Sequence, residues 1–343
     1  MSEDAVIPQA AARSAATVDL DAKVAYLQTL LGPGDEAIET HFAWVFLAGP
    51  RAWKLRKPVR RDSMDYSTVE ARCHDSEEEV RLNRRLAPHV YLGTLALTHD
   101  GSGRLAIGGT GETVDWLVEM RRLDRARMLD ALLARGAASE DALARVVRLL
   151  AAFYARESAA IRDGAALGAR LRRQVEANHQ ALQTLEPEAS AALRDAQLAF
   201  LDARRDWIDS RAEGGCIVEA HGDLRPEHIL ADDPPAVIDC LEFDRNLRIL
   251  DRAEELAFLE LECGRLGHAL QGRWLLEACL GQLGDRIAVP MLQFYRSHRA
   301  ATRGKLYAWR SLEADGGSPD DWRAKARGYL AGALEDARLA ARH

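Results

Sequence analysis

Two aspartates sixteen positions apart, Asp223 and Asp239, have the residue type and spacing to do chemistry together. Asp223 lies in His221-Gly-Asp-Leu-Arg-Pro-Glu-His-Ile-Leu, just past the apolar run Cys216-Ile-Val. Asp239 ends a second apolar run, Ala236-Val-Ile, after an Ala-Asp-Asp-Pro-Pro break. Short apolar runs bounded by turn residues predict strands. Two acids held at two strand ends can converge on one point. Metal-assisted phosphoryl transfer requires such a pair: one carboxylate receives the nucleophile's proton, and the other holds the cation that bridges the nucleotide phosphates.

The wording around these acids, His221-Gly-Asp-Leu with Ile229 and then Ile238-Asp239, resembles the catalytic core of the aminoglycoside phosphotransferases, small-molecule kinases that share the protein-kinase fold. Arg225-Pro-Glu-His-Ile and Ile238-Asp-Cys-Leu-Glu-Phe-Asp-Arg resemble one subgroup, often fused to an ATP-binding domain. The resemblance runs roughly from Glu39 to Lys305. It implies an α+β, bilobal, protein-kinase-like fold, with a small antiparallel-sheet N-lobe carrying one long helix and a larger, mainly helical C-lobe. The expected division is a loose tail over 1–20, a nucleotide-binding N-lobe over 21–119, and a C-lobe over 120–343. The catalytic loop would be 221–230 and the metal-binding segment 236–244. The implied activity is transfer of the γ-phosphate of ATP, with Mg2+, to a hydroxyl of a small molecule.

The elements ahead of the loop follow that layout. Strand-like runs at 37–39, 42–48 and 52–55 are separated by turns at Thr40-His41 and Gly49-Pro-Arg51. Alternation sets Lys54 on the face opposite Trp53 and Leu55. By the resemblance Lys54 pairs with the nucleotide phosphates, and the Thr40–His41 turn covers them. Lys57 is the weaker choice because Pro58 ends the strand. Ser67-Thr-Val-Glu70 reads as a capping box opening a helix to about Leu86. Glu78, Leu82 and Leu86, spaced by four, share a face, so Glu78 can reach back to Lys54 as an ion pair, with Glu77 and Glu79 as alternatives. Further strands follow at 91–98, 104–107 and 113–120. The resemblance places the hinge after them, with backbone groups from Glu119 to Arg121 holding the adenine edge.

From Asp124 to Gly214 the pattern is helical, as in Leu143, Val146, Val147, Leu150, Phe153 and Tyr154. Asp223 would take the acceptor's proton and Asp239 would ligate magnesium. His221 would hold the loop through its ring, and Glu242 would contact substrate or a water. Asp251 precedes a long helix. It caps that helix, braces the catalytic loop as the resemblance implies, or does both. Arg296, Arg299 and Arg303 line one helical face. They would receive an anionic substrate, pair with the acids near Glu242 and Asp244, or stay solvated.

One position departs from the family. Five residues after the catalytic Asp it has Asn, a metal ligand, where this chain has His228. Imidazole suits manganese better than magnesium. The metal contact is then water-mediated, absent, or shifted toward Mn2+. With the lack of a fused ATP-binding domain, this supports a second reading: a catalytically weak nucleotide-binding module acting through a partner protein. A third, an antibiotic-modifying enzyme, expects several acids at the C-terminus for cationic sugars. Residues 334–343 mix Glu335 and Asp336 with Arg338 and Arg342.

Composition bounds these readings. The chain has 343 residues, 48% hydrophobic and 29% charged, with formal net charge −7. No basic stripe dominates, so nucleic acid is not the expected partner. Lysine occurs five times, which singles out Lys54 and Lys57. No Gly-x-x-x-x-Gly-Lys-Ser/Thr motif occurs, which disfavours a Walker-type kinase. Five scattered cysteines without Cys-x-x-Cys spacing fit a reducing cytosol, and no apolar run reaches the roughly 18 residues of a membrane span. The expected location is cytoplasmic and the expected partner a small hydroxylated molecule.

Overall fold

The computed structural model describes residues 18–61, 64–312 and 317–342. The loose tail expected over 1–20 therefore lies almost wholly outside the described residues.

The N-terminal part begins with helix α1 (Leu20–Gln28), capped by the Asp19 carboxylate on the Ala22 N–H. Strands β1 (Glu36–Glu39), β2 (Ala43–Ala48) and β3 (Arg51–Arg56) form consecutive antiparallel hairpins. A two-residue hairpin, β4 (Arg60–Arg61) and β5 (Met64–Asp65), leads to helix α2 (Val69–Asn83). Thr68, rather than Ser67, caps α2 by accepting from Ala71 N–H. Strands β6 (Tyr91–His99), β7 (Leu105–Ile107) and β8 (Glu112–Arg121) complete a six-stranded antiparallel sheet in the order β1-β2-β3-β8-β6-β7. Phe46, Leu55 and Leu117 bury one face of this sheet against α1 through Val24 and Leu27. Lys23 and Arg72 anchor α1 and α2 to the buried Asp115 of β8.

The C-terminal part is mainly helical. It comprises α3 (Leu129–Ala134), α4 (Glu140–Arg156), the short strand β9 (Ala159–Ile161), α5 (Gly164–Leu182), α6 (Pro187–Ala203) and α7 (Arg205–Glu213). The apolar stripe from Leu143 to Tyr154 on α4 is buried in the largest core cluster. Strands β10 (Ile217–Glu219), β11 (Ile229–Leu230) and β12 (Ala236–Val237) then carry the loops of interest. Helix α8 (Arg245–Arg248), strand β13 (Ile249–Asp251) and helices α9 (Arg252–Arg265), α10 (Ala269–Gln282), α11 (Val289–Arg310) and α12 (Pro319–Ala340) follow. Helix α9 is buried almost all round, including its glutamates Glu254, Glu255, Glu260 and Glu262. Among the described residues no helix is long and apolar enough to cross a membrane. The architecture is α+β, with an antiparallel-sheet N-lobe and a helical C-lobe.

Candidate functional site

β10 ends at Glu219 and releases the chain into the loop holding His221 and Asp223, while the β11–β12 hairpin delivers Asp239. Gly222 sits at φ 93°, and a Cβ there would come within 3.0 Å of Leu241, so the turn before Asp223 requires glycine. Asp239 is at φ 64°, a left-handed conformation that costs a non-glycine residue about 1–3 kcal/mol. Its side chain remains 55% exposed. The carboxylate is thus left exposed instead of buried.

His221 ties the two segments together. Its Nε2–H donates to the Ile238 carbonyl at 2.9 Å, and its Nδ1 accepts from the Asp223 N–H at 3.3 Å. That pattern fixes the neutral ring. Burial, reinforced by neighbouring His228, lowers its pKa to about 3. The loop's backbone is held from α9. Glu255 accepts the His221 N–H at 3.0 Å and the Gly222 N–H at 2.5 Å, and also takes the Tyr154 hydroxyl at 2.6 Å. Asp251 works elsewhere. It caps α9 through Ala253 N–H and binds Arg211 and Tyr295. The expected brace is thus Glu255, one turn further along.

The Lys54 Nζ reaches Glu79 Oε1 at 2.9 Å and lies 3.8 Å from Asp239 Oδ1. Burial opposes the Lys54 charge, but Glu79, Glu242 and Asp239 outweigh it and raise its pKa. Glu78 is not the partner. It faces outward and binds Arg81, because the buried face of α2 runs through Ser76, Glu79, Val80 and Asn83. Glu242 binds the buried Arg56 at 2.8 Å, beside the 2.6 Å Arg56–Glu79 contact, so it joins the lysine's network. Asp244 caps α8 through Asn246 N–H. Lys57 pairs with Glu39 at the sheet's margin.

Asp223 is enclosed by cations. Arg225 Nε and Nη2 both reach its Oδ2, at 3.0 and 2.9 Å, and Arg303 Nη1 stands 3.7 Å from Oδ1. Burial pushes this carboxyl up, but Arg225, His228, Arg303 and Arg299 outweigh it and bring the pKa down to about 2. Arg299 donates to the Gly222 carbonyl at 2.8 Å, which fixes the loop from α11. Arg296 points elsewhere, to Glu260 and Asp336.

His228 has both ring nitrogens committed. Nδ1–H donates to the Asp223 carbonyl at 2.9 Å, and Nε2 accepts from Arg225 at 3.0 Å. It does not fit a metal-ligand role here, and the manganese option that rested on it loses its ground. Among the described residues no cluster of three metal-ligating side chains occurs. Magnesium needs none, since one or two carboxylates plus substrate phosphates suffice. The half-exposed Asp239 carboxylate fits that donor set.

The Thr40 hydroxyl donates to the Ala43 carbonyl and accepts the Ala43 N–H, which closes the β1–β2 turn that also holds His41. Glu119 and Arg121 lie on β8, where the Arg121 N–H donates to the Val90 carbonyl. That backbone donor is spent on the residue just ahead of β6 and is not open to a nucleotide. Sequence reasoning missed Arg225, Arg56 and Glu255. Arg225, two positions after Asp223 in the same loop, carried the clearest signal.

No family model matches the chain. It is 34% identical over 275 residues to uncharacterised proteins of Mycobacterium tuberculosis H37Rv and Mycobacterium bovis, an alignment covering 78% of this chain and 53% of theirs. The chain therefore spans about half the length of these curated relatives. Among solved structures it is similar to the choline kinase of Cryptosporidium parvum Iowa II (TM-score 0.54, 11% identity, 94% of this chain and 96% of that one). It is also similar to a mutant of aminoglycoside 2'-phosphotransferase-IIIa in complex with GDP (0.54, 14%, 91% and 94%) and to the choline kinase of Streptococcus pneumoniae (0.51, 11%, 90% and 97%). The chain has the protein-kinase-like fold of the aminoglycoside phosphotransferase and choline kinase structures.

Proposed function

We propose that the protein is an ATP-dependent phosphotransferase acting on a hydroxyl of a small molecule. The observation that carries this is the convergence of Lys54, Asp239 and Asp223 on one cleft, with Lys54 3.8 Å from Asp239 and His221 linking the segments that hold the two acids. The fold is shared with structures of small-molecule kinases, which supports the reading.

In this reading the Lys54 ammonium, aimed by Glu79, offsets charge on the nucleotide phosphates. Asp239 would hold Mg2+, which when bound supplies charge neutralisation on the transferring phosphoryl group. Asp223 orients the acceptor hydroxyl and takes its proton as the new O–P bond forms and the bond to the ADP oxygen breaks. A loose transition state releases that proton late, so the low Asp223 pKa is compatible with the role. Arg225 places a fixed positive charge between Asp223 and His228, beside Asp239.

The test is MgATP turnover against a panel of hydroxylated acceptors, with Asp223→Asn and Asp239→Asn beside the wild type. Asp223→Asn should lose turnover by about 100-fold or more and keep nucleotide binding. Asp239→Asn should lose the magnesium-dependent part of nucleotide binding. Survival of most turnover in Asp223→Asn refutes the base assignment.

A second reading, a nucleotide-binding module that transfers little phosphate and acts through a partner protein, draws on one feature. Arg225 donates its Nε–H to Asp223 Oδ2 and forms an ion pair with the same oxygen through Nη2, which weakens Asp223 as a proton acceptor. Nucleotide-induced stabilisation without turnover on any acceptor supports that reading.

A further inference from the structure

We propose that the acceptor wall beside Asp223 is built for an anionic hydroxyl compound, one bearing a carboxylate or a phosphate, which docks on Arg303 of α11. This deepens the phosphotransferase reading and rests on it. The two oxygens of Asp223 divide the cleft. Oδ2 is held by Arg225, which also contacts Glu227 and His228, and His228 Nε2 lies 3.5 Å from Asp239. That side belongs to the nucleotide and the metal. Oδ1 faces α11, where Arg303 stands at 3.7 Å, beyond hydrogen-bond distance. Oδ1 accepts no hydrogen bond from Arg303, which leaves it to an acceptor hydroxyl in this proposal.

Arg303 is under-used. Its side chain is 13% exposed, yet its hydrogen bonding among the described residues comes to a single bond, from Nη2 to the Tyr307 hydroxyl at 3.2 Å. Among the described residues its Nε has no hydrogen-bond partner, and neither does the Nε of the neighbouring Arg299, which is 7% exposed. A guanidinium presents five donors in a fork that matches carboxylate or phosphate. Withdrawing one from water and leaving its donors idle is costly. An oxyanion supplied by the acceptor repairs that deficit.

The features that would welcome a cation are occupied. A quaternary ammonium needs open aromatic faces. Tyr307 stacks on Trp322 and Tyr329, and the chain's own cations cover these rings. Arg265 lies 3.7 Å from the Tyr329 centroid, Arg310 and Lys325 each 4.4 Å from that of Trp322, and Arg303 5.2 Å from that of Tyr307. The nearby acids are spoken for too. Glu227 pairs with Arg225, Glu262 takes the Tyr329 hydroxyl at 2.7 Å, and Asp336 binds Arg296 at 3.3 Å.

The experiment measures binding without nucleotide, by thermal denaturation and calorimetry, for glycerol 3-phosphate, D-glycerate, choline and kanamycin. Glycerol 3-phosphate and D-glycerate separate a phosphate preference from a carboxylate preference. At least one of them should raise the melting temperature, and choline and kanamycin should not. In Arg303→Met the affinity for that anion should fall about 10- to 100-fold, the scale of a lost charge-assisted hydrogen bond, while Lys54→Met retains it. Arg303→Lys, which keeps the charge, should fall between and serves if the methionine variant does not fold. Loss in Lys54→Met with retention in Arg303→Met puts the anion in the nucleotide site and overturns the proposal. Preference for choline or kanamycin overturns it, as does the lack of any rise with both anions. Arg303-dependent anion binding with no phosphate transfer to any acceptor upholds the anion site and removes the kinase reading instead.

Discussion

The Lys54 ammonium on β3 stands 3.8 Å from the Asp239 carboxylate, which arrives from the other lobe on the β11–β12 hairpin. Glu79 of α2 holds the same ammonium at 2.9 Å and Arg56 at 2.6 Å, so one buried carboxylate orders two cations. Breaking a buried pair by deleting one partner costs about 3–5 kcal/mol, because the other charge stays buried. Glu79→Ala should therefore lower stability by that order and lower nucleotide affinity with it. Glu78→Ala loses only an exposed pair with Arg81 and should stay within about 1 kcal/mol of wild type. Denaturant titration of the two variants side by side checks this. Equal effects would mean that Glu79 does not hold the lysine.

Glu255 and Asp251 both lie at the start of α9 but do different work. Glu255→Ala strands the N–H groups of His221 and Gly222 and the Tyr154 hydroxyl. Each orphaned buried group costs about 1–3 kcal/mol. The loop of His221 and Asp223 also loses its support, so on the proposed phosphotransferase reading turnover should fall together with stability. Asp251→Ala breaks the contacts to Arg211 and Tyr295, away from the loop. Its loss should appear in the melting temperature, with kcat in the surviving folded protein close to wild type. A kcat loss in Asp251→Ala matching that of Glu255→Ala contradicts the division.

These corrections show where the sequence was readable. The pairing of Asp223 with Asp239 was visible because both end short apolar runs bounded by turn residues, and strand ends place side chains predictably. The choice between Glu78 and Glu79 was not. A period of 3.6 lies between spacings of three and four, so Glu78 with Leu82 and Glu79 with Leu82 both read as one face. Tertiary burial against Lys54 and Arg56 decided it. Glu255 was hidden for a different reason. An acid in the first turn of a helix ordinarily reads as compensation for the helix dipole, and only the fold reveals that α9 is buried there. Arg303 was read as part of a basic face, but whether that face met water or Asp223 depended on how α11 packs on α9. The capping role of Asp251 followed from local sequence alone, since a cap needs no tertiary partner.

Acid should destabilise the protein in two successive windows that overlap only below pH 3.8. The His221 pKa is near 3 in the folded chain, against about 6.5 unfolded. The unfolded chain binds the proton first, so this contribution is complete above pH 6.5 and drains away as pH falls from 6.5 to 3. Asp223 lies near 2 when folded and 3.8 in its ordinary state, so its contribution is present above 3.8 and is lost between 3.8 and 2. A tenfold difference in proton affinity between the folded and unfolded chain corresponds to about 1.4 kcal/mol. Unfolding free energies measured from pH 7 to 4 should therefore fall more steeply in wild type than in His221→Gln. Parallel curves would mean that the ring is not held neutral.

His228 occupies the position where the resembling family carries a metal-binding amide, and its surroundings predict that it plays no such part. Nδ1 is spent on the Asp223 carbonyl and Nε2 on Arg225. To ligate a cation, Nε2 would have to give up Arg225, and the guanidinium would then face the cation across a short distance. That repulsion makes the exchange unfavourable. The ratio of manganese- to magnesium-supported turnover should accordingly be the same in wild type and His228→Gln, while turnover itself falls because Arg225 and the loop carbonyl lose a partner. Metal titrations of both proteins under identical nucleotide concentrations read this directly. A wild-type preference for manganese that disappears in His228→Gln would show the imidazole reaching the metal after Arg225 has swung away.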